Sequence, residues 1–385
     1  MKAPATERRG TPDFLLLVMT LVLVGFGIVM VFSASSSMTA VSPEFNNDPL
    51  YFTKRQLLFA GAGTVMMLVL MNIRYERYKI LYAPFLLGVL VMLVAVLFTG
   101  KLNGARSWIG IGPFSIQPTE FAKIAVVLYL SAIISKKQEK FREFKLGLLP
   151  ILIVAGLVAV LIMLQPDFGS AAILIMAVSA IIIAGGANLK HVMLTGGALA
   201  GAAGLALSLY LLFNPDFDGG IPMSRVAAFL DPFSHAQGSG MQLLRSLEAF
   251  GHGGLTGAGL GNSVQKLFYL PYAYNDFIFA VIAEELGFIG TSLFILFYVF
   301  FLWRILIVAL RCPDLFGVLF GFGMAALIGV QTLVNMGGVS KAIPVTGVTL
   351  PFVSYGGSSL LSLMMGMGVL LSISREYNRL QSRSS

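Results

Sequence analysis

Long apolar segments recur along this chain of 385 residues, and they constrain its fold more than any other feature. A stretch of about 20 apolar residues can cross a bilayer as a helix, because the hydrocarbon core is about 30 Å thick. Hydrophobic residues make up 57% of the sequence and charged residues only 11%, which excludes an ordinary soluble domain. The sequence therefore predicts an all-α polytopic membrane protein.

About ten such segments are predicted, and each is a candidate transmembrane helix. The first follows Arg8 and Arg9 and is longer than the apolar region of a secretory signal peptide, so we interpret it as a retained span. The predicted segments are 14–34, 56–72, 80–99, 120–135, 146–164, 168–186, 190–213, 277–303, 313–336 and 353–374.

The distribution of lysine and arginine predicts the orientation of these helices. With a cytoplasmic N-terminus, 17 of the 26 basic residues fall in inner segments and 8 in outer segments, although the outer segments are longer. Cytoplasmic loops are enriched in lysine and arginine, so both termini are predicted to be cytoplasmic. The basic residues form short runs between spans and no single aromatic-laced face, which argues against nucleic acid as a partner despite the net charge of +8.

The longest segment between predicted spans, 214–275, lies on the outer side in this topology. Its first part is rich in Pro, Asp and Gly, residues 242–250 are predicted to form a short amphipathic helix, and residues 251–262 are rich in glycine. Residues 1–385 are therefore interpreted as a single membrane domain with one large extracellular loop between helices 7 and 8. The glycine run 257–261 lacks the βαβ context of a nucleotide-binding motif, so no nucleotide cofactor is predicted.

Ionisable residues gather where the predicted spans meet the outer side of the membrane. Glu120 and Lys123 open the fourth span, and their spacing of three residues lets them pair on one helix face. Asp167 lies in the external turn between the fifth and sixth spans, Asp276 opens the eighth, and Arg106 lies in an outer loop. This placement on separate hairpins at one depth predicts a polar cavity open to the outer leaflet.

Each of these residues also has a purely structural interpretation. Asp276 or its neighbour could cap the eighth helix, because short polar side chains satisfy free N–H groups there. Glu120 with Lys123 could be a structural ion pair. Asp167 could stabilise a turn, and Arg106 could anchor the loop at the membrane interface.

Two further acids, Glu284 and Glu285, follow Asp276 by about 12–13 Å of helix. They are predicted to lie near mid-bilayer, where a charge costs at least about 2.5–3.5 kcal/mol. We expect one of them to be protonated or to bond a neighbouring helix. Glu285 points away from Asp276 and Glu284 lies too deep, so neither is expected to be its catalytic partner.

Several classes of active site are not supported by the sequence. It contains no Walker A motif, no HExxH and no Gly-x-Ser-x-Gly. The three histidines are scattered, which argues against a histidine metal site. The single cysteine, Cys312, excludes an intrachain disulfide and a thiolate metal cluster.

Six motifs, in order along the whole chain, resemble the SEDS family of RodA, FtsW and SpoVE proteins. The residues of segment 246–266 resemble the FtsW or SpoVE branch more than RodA. In one departure, Tyr272 and Asn275 stand where the family usually has glutamate and threonine. The six motifs are Gly-Ala-Arg-Ser-Trp-Ile (104–109), Ile-Gln-Pro-Thr-Glu-Phe-Ala-Lys (116–123), Gln-Pro-Asp-Phe-Gly (165–169), Gly-Leu-Gly-Asn-Ser-Val-Gln-Lys (259–266), Asp-Phe-Ile-Phe-Ala (276–280) and Pro-Phe-Val-Ser-Tyr-Gly-Gly-Ser-Ser (351–359).

The resemblance implies a peptidoglycan glycosyltransferase that polymerises lipid II on the outer face of the bacterial cytoplasmic membrane, for septum or spore wall synthesis. It implies that Asp276 is the essential carboxylate, either as a base or as the ligand of a divalent cation such as Mg²⁺ or Mn²⁺. Arg106 and Lys123 are then candidates for phosphate contacts, and Glu120 and Asp167 for further substrate contacts. The implied partner is a class B penicillin-binding transpeptidase within a divisome or sporulation complex.

Two other functions stay open at this point. A flippase or transporter for the same lipid would also use polar groups within broken helices, although the acids here cluster at one end and no inverted repeat is visible. A non-enzymatic scaffold for a transpeptidase would need no ionised group at position 276.

Overall fold

A computed structural model of the protein describes residues 10–99, 107–111, 114–197, 220–235 and 238–384. Within these ranges, eight helices are long and apolar enough to cross a membrane, by length and composition. A ninth apolar helix of 17 residues corresponds to the sixth predicted span. The seventh predicted span, 190–213, is described only as far as residue 197. The prediction of an all-α polytopic membrane protein is confirmed.

The elements are named here in chain order. A short antiparallel hairpin pairs Ile109 with Ile116 just before α4. The bounds are α1 (Phe14–Val41), α2 (Tyr51–Met71), α3 (Tyr75–Val96), β1 (Ile109–Ile111), β2 (Phe114–Ile116), α4 (Pro118–Lys137), α5 (Leu149–Met163), α6 (Phe168–Ala184), α7 (helical residues 189–197), α8 (Gly220–Leu230), α9 (Ser239–Gly253), α10 (Ile278–Leu310), α11 (Leu315–Val339) and α12 (Gly357–Ser384).

Helices α4 and α12 form the centre of the bundle. In the most apolar stretch of each helix, 78% of the α4 residues and 83% of the α12 residues are buried. The corresponding share is 22% for α2 and 22% for α3, so these two helices face lipid. Helix α12 packs on α2, while α11 packs on α4, α6 and α10. The amphipathic helix predicted over 242–250 is present as α9, which lies against α10. The outer segment is thus folded onto the bundle.

Two side-chain contacts join α1 to α10, and they lie about one membrane thickness apart. At one end, Arg304 Nε donates to the Asp13 carboxylate at 3.1 Å. At the other end, Ser33 Oγ donates to the carboxylate of Glu285 at 2.6 Å. These contacts are separated by about 30 Å along α1 and about 28 Å along α10, which is the thickness of the hydrocarbon core. Glu285 therefore lies about one membrane thickness from the Asp13–Arg304 contact.

Helix α10 is broken at Gly287, whose backbone is non-helical with φ 65° and ψ −171°. The break removes helical hydrogen bonds, and the glycine-rich segment after α9 restores them. Backbone N–H and C=O groups at this depth must be paired, because lipid offers no partners. The four replacement bonds run from Phe288 N to Gly254 O (2.9 Å), Ile289 N to Leu255 O (3.1 Å), Ala258 N to Glu284 O (2.9 Å) and Gly259 N to Glu285 O (3.1 Å).

The prediction that Glu284 and Glu285 lie near mid-bilayer assumed an unbroken helix from residue 277, and the break at Gly287 removes that assumption. The part of α10 after Gly287 is about 34 Å long, which is enough to span a membrane by itself. The two acids precede the break and pack against the outer segment. The expected bond to a neighbouring helix is present, since Glu285 bonds Ser33 of α1.

Candidate active site

A cavity of about 750 Å³ opens among the predicted outer ends of the helices. Its walls come from the first turns of α4 and α6, from α2 and α8, and from the loops that precede α10 and α12. Asp276, Asp167 and Glu120 all line it. The predicted cavity is therefore present, and the three acids from separate hairpins do meet there. Arg106 lies outside the described residues.

Asp276 is held in the cavity wall by its main chain. Asn335 of α11, itself buried, donates through Nδ2 to the Asp276 carbonyl at 2.8 Å and to the Val348 carbonyl at 2.7 Å. The side chain is not used to cap the following helix, because the N-cap of α10 is Phe277 and no side chain caps it. The Asp276 Oδ1 atom is buried and has no hydrogen-bond partner among the described residues. The structural interpretation of Asp276 as a helix cap is therefore not supported.

The environment of Asp276 favours its neutral form. Burial is the main cause and raises the pKa of this carboxyl to about 7. The Arg225 guanidinium opposes that rise, while the nearby Asp167 adds to it. A carboxyl with a pKa near neutrality can accept a proton and release it again at physiological pH.

Asp167 has both a structural role and a place in the cavity. Its Oδ1 atom caps α6 by accepting from Ser170 N at 3.0 Å, which confirms the predicted turn role. Its Oδ2 atom accepts from Gln117 Nε2 at 3.3 Å. Burial raises the pKa of Asp167. The two Gln-Pro motifs thus meet in space, and Thr119 also donates to the Gln165 side chain at 3.2 Å.

Glu120 and Lys123 form the predicted pair, 2.8 Å apart, on one face of α4. Lys123 is 1% exposed, donates also to Gln331 Oε1 at 3.0 Å and does not line the cavity. Glu120 lines the cavity, and its Oε2 atom is buried without a partner. Lys123 therefore lies behind the cavity wall and supports Glu120 from there.

Two cations of the cavity wall were missed as site residues by the sequence analysis. Arg225 of α8 donates through Nη1 to the Thr346 carbonyl at 2.9 Å, and Arg55 of α2 lies over the Tyr51 ring at 4.3 Å. Both were counted only as outer charges. Arg225 and Thr346 are 121 residues apart in the sequence, so no spacing rule could predict their contact.

The unusual residues of the loop before α10 also face the cavity. Tyr272 and Asn275 line it, and Asn275 N donates to the Tyr272 carbonyl at 2.9 Å in a tight turn. Tyr274 stacks on Phe52 of α2 with ring centroids 4.2 Å apart. This aromatic contact fixes the loop that carries Asp276.

Glu284 and Glu285 form a second group of acids, and their contacts differ from those of the cavity. Glu284 accepts hydrogen bonds from His252 Nδ1 at 2.8 Å, from the Ser263 hydroxyl and from Val264 N at 2.8 Å. Glu285 pairs with Lys266 Nζ at 2.8 Å. These acids tie the glycine-rich segment to α10, and they lie outside the cavity lining.

The acids of the cavity offer a divalent cation only part of a binding site. In the described part of the chain, no group of three or more His, Cys, Asp or Glu side chains converges on one point. Mg²⁺ is commonly held by one or two carboxylates together with substrate phosphates. The partnerless Oδ1 atom of Asp276 fits that arrangement and does not form a complete metal cage.

The fold and the cavity define a polytopic membrane protein with a poised carboxyl at one end of its helix bundle. The family model described as "Cell cycle protein", which groups FtsW, RodA and SpoVE, matches residues 14–379. The chain belongs to this family.

Individual relatives agree with the family match over nearly the whole chain. Stage V sporulation protein E of Bacillus subtilis is 41% identical over 379 residues, which cover 97% of this chain and 100% of the relative. The probable peptidoglycan glycosyltransferase FtsW of Trichlorobacter lovleyi is 40% identical, with 94% of this chain and 93% of the relative covered.

A solved structure has the same fold. It is a chain from work on the structural coordination of polymerization and crosslinking by a peptidoglycan synthase complex. It superposes with a TM-score of 0.75 at 28% identity, covering 95% of this chain and 98% of that chain.

Proposed function

We propose that this protein is a peptidoglycan glycosyltransferase that joins lipid II units into glycan strands in the cavity around Asp276. The observation that carries the proposal is the buried, partnerless Oδ1 atom of Asp276 in a cavity large enough for a sugar. An unsatisfied buried oxygen costs stability, and this one faces the cavity, where a substrate group could supply the missing hydrogen bond. The name of the FtsW relative supplies the reaction class.

The reaction joins two lipid-linked sugars. The acceptor hydroxyl oxygen forms a bond to the anomeric carbon of the donor, and the bond from that carbon to the pyrophosphate oxygen breaks. The lipid pyrophosphate leaves with the electron pair. Asp276 takes the proton from the attacking hydroxyl, which its pKa of about 7 permits near neutral pH.

The cavity walls match the polar parts of such a substrate. Arg55 brings positive charge that suits an anionic pyrophosphate. Asp167 and Glu120 offer acceptors for sugar hydroxyls, and Lys123 holds Glu120 in place. We keep Arg106 as a predicted phosphate contact.

A divalent cation, Mg²⁺ or Mn²⁺, is proposed as a cofactor. As the alternative to its role as a base, Asp276 would hold the cation together with the substrate phosphates, and the cation would neutralise charge on the leaving pyrophosphate. The substrate contacts proposed for the polar cavity wall and its two arginines do not require the cation.

The cavity is proposed to face the outside of the cytoplasmic membrane, as the distribution of basic residues predicts. The proposed partner is a class B penicillin-binding transpeptidase of a divisome or sporulation complex. Its single transmembrane helix would pack on the lipid-facing side of α10 and α11. Leu296, Val299 and Trp303 of α10 are more than half exposed and form an apolar stripe there.

The test uses purified protein in lipid nanodiscs with lipid II and Mg²⁺, with and without the transpeptidase. We expect glycan polymer from the wild type and none from Asp276→Ala. Asp231→Ala is the matched control, because Asp231 is an exposed acid of the same outer segment that does not line the cavity. It should retain wild-type activity.

The rival functions predict different results in the same assay. Lipid II translocation without polymer would identify a flippase. Absence of both activities, together with normal growth of cells that carry Asp276→Ala, would identify a scaffold.

A further inference from the structure

An atom-sized space separates the two oppositely charged side chains at the centre of the cavity. It lies against Gly347, in the loop between α11 and α12. The point where a Cβ atom would stand on Gly347 is 3.4 Å from Asp276 Oδ2 and 3.3 Å from Arg225 Nη2. It is 3.5 Å from Arg225 Nη1. A single atom placed there contacts both groups.

The space is kept open from both sides of Gly347. The preceding carbonyl, of Thr346, accepts from Arg225 Nη1, and the following carbonyl, of Val348, accepts from Asn335 Nδ2. Asn335 also holds the main chain of Asp276. Arg225 and Asp276 are thus anchored on opposite sides of the same short loop, and within the described residues they form neither an ion pair nor a hydrogen bond with each other.

Gly347 is suited to this position for two reasons. Its φ of +76° is a conformation that side-chain-bearing residues rarely adopt. A methyl group at this position would also occupy the space between the carboxylate and the guanidinium. The loop therefore combines a backbone conformation that favours glycine with an unfilled contact point, and the contact point is consistent with a seat for a ligand atom.

The charges on the two sides decide which atom fits. An atom between them must accept a hydrogen bond from the Arg225 guanidinium and donate one to the Asp276 carboxylate. A hydroxyl group does both. A phosphate oxygen accepts from the guanidinium but has no proton to donate at neutral pH, and it is repelled by an ionised carboxylate.

We propose that Arg225 and the open face of Gly347 form the seat of the acceptor hydroxyl, which faces Asp276. This inference rests on the proposed function and adds a substrate-binding residue to it. The guanidinium donates to the hydroxyl oxygen and stabilises the negative charge that develops there as the proton leaves. The proton moves to the Asp276 carboxylate while the oxygen forms its bond to the donor sugar, so charge and protons balance.

The probes for the test are lipid II and a lipid II analogue in which the acceptor hydroxyl is replaced by hydrogen. The analogue keeps the pyrophosphate and the lipid, so only the contact in the proposed seat is lost. Affinity for both is measured in nanodiscs with wild-type protein, Arg225→Gln, Arg225→Lys and Gly347→Ala. A hydrogen bond to a charged group predicts that the wild type prefers lipid II by roughly 10–100-fold.

We expect Arg225→Gln to reduce this preference to less than about threefold, and Arg225→Lys to keep part of it because the charge remains. Gly347→Ala should remove the preference by filling the space. Gly186→Ala is the matched control, since Gly186 has a φ of +80° with nothing within 4 Å of its Cβ position. It imposes the same kind of backbone strain and should leave the preference at the wild-type level.

Two results would overturn the inference. One is a wild-type preference for lipid II that survives unchanged in Arg225→Gln. The other is equal affinity of the wild type for the two probes. Arg225→Gln leaves the backbone of the loop unchanged, so it carries the test even if Gly347→Ala does not fold.

Failure of the inference is distinguishable from failure of the proposed function. If the wild type makes polymer but either overturning result is found, the acceptor seat lies elsewhere in a working glycosyltransferase. If the wild type makes no polymer under any condition, the proposed function itself fails.

Discussion

Two acid–cation arrangements in the outer half of this protein have opposite geometry. Glu285 contacts Lys266 directly at 2.8 Å, and both side chains are almost completely buried. Asp276 faces Arg225 across the open side of Gly347 without touching it. The closed pair neutralises its own charges and joins two segments. The open pair leaves both charges available, which is what a binding site for a reacting group requires.

The largest expected effect comes from breaking the closed pair. Lys266→Met leaves the Glu285 carboxylate buried without its cation, which should lower the free energy of unfolding by about 3–5 kcal/mol. The double variant Lys266→Met with Glu285→Gln should recover most of that loss, because no buried charge remains. Thermal unfolding in detergent measures both.

The open pair provides the contrast for that experiment. Asp276→Asn removes a carboxylate that has no ion-pair partner, so the unfolding temperature should stay the same or rise. A loss of stability as large as that of Lys266→Met would show that the open pair is structural after all.

A medium effect is expected from the glycine-rich segment that repairs α10. Gly257 and Gly261 have nearly equal φ values, +84° and +83°, so alanine strains both backbones alike. A Cβ on Gly257 would lie 2.2 Å from the Glu285 carbonyl, whereas nothing lies within 4 Å of one on Gly261. Gly261→Ala should cost about 1 kcal/mol. Gly257→Ala should cost clearly more, and equal unfolding temperatures of the two variants would contradict the close packing at the break.

The smallest expected effect is in the pH profile of the wild type. Asp276 must be ionised to accept a proton, and its pKa is raised to about 7, so kcat/KM should fall about tenfold per pH unit below 7. Arg225→Gln removes the cation that lowers this pKa, so the fall of kcat/KM on the acid side should begin at a higher pH. A wild-type kcat/KM that falls only near pH 4 would show that Asp276 is not the titrating base.

The sequence was most informative where helix spacing or membrane topology alone fixes the position of a residue. The spacing of Glu120 and Lys123 predicted their pair, and the ends of the apolar segments predicted that Asp167 and Asp276 reach one cavity. The break at Gly287 was not predictable, because a glycine within an apolar run is compatible with a continuous helix. The depth predicted for Glu284 and Glu285 therefore assumed a continuous helix.

The role of Arg225 could not be read from the sequence for a different reason. It lies in a short helix of the outer segment, and its contacts with Thr346 and Gly347 depend on how that segment folds back over the bundle. Local periodicity carries no information about such a contact. The same holds for Asn335, which positions two separate loops through one amide group.

The repaired break in α10 has a consequence for how the chain is made. The repairing residues, 254–259, precede the broken helix by only about 30 positions, so they leave the ribosome first. The segment that pairs with the free peptide groups beside Gly287 is therefore already synthesised when this part of α10 forms. The broken helix can complete its backbone hydrogen bonds without waiting for any later part of the chain.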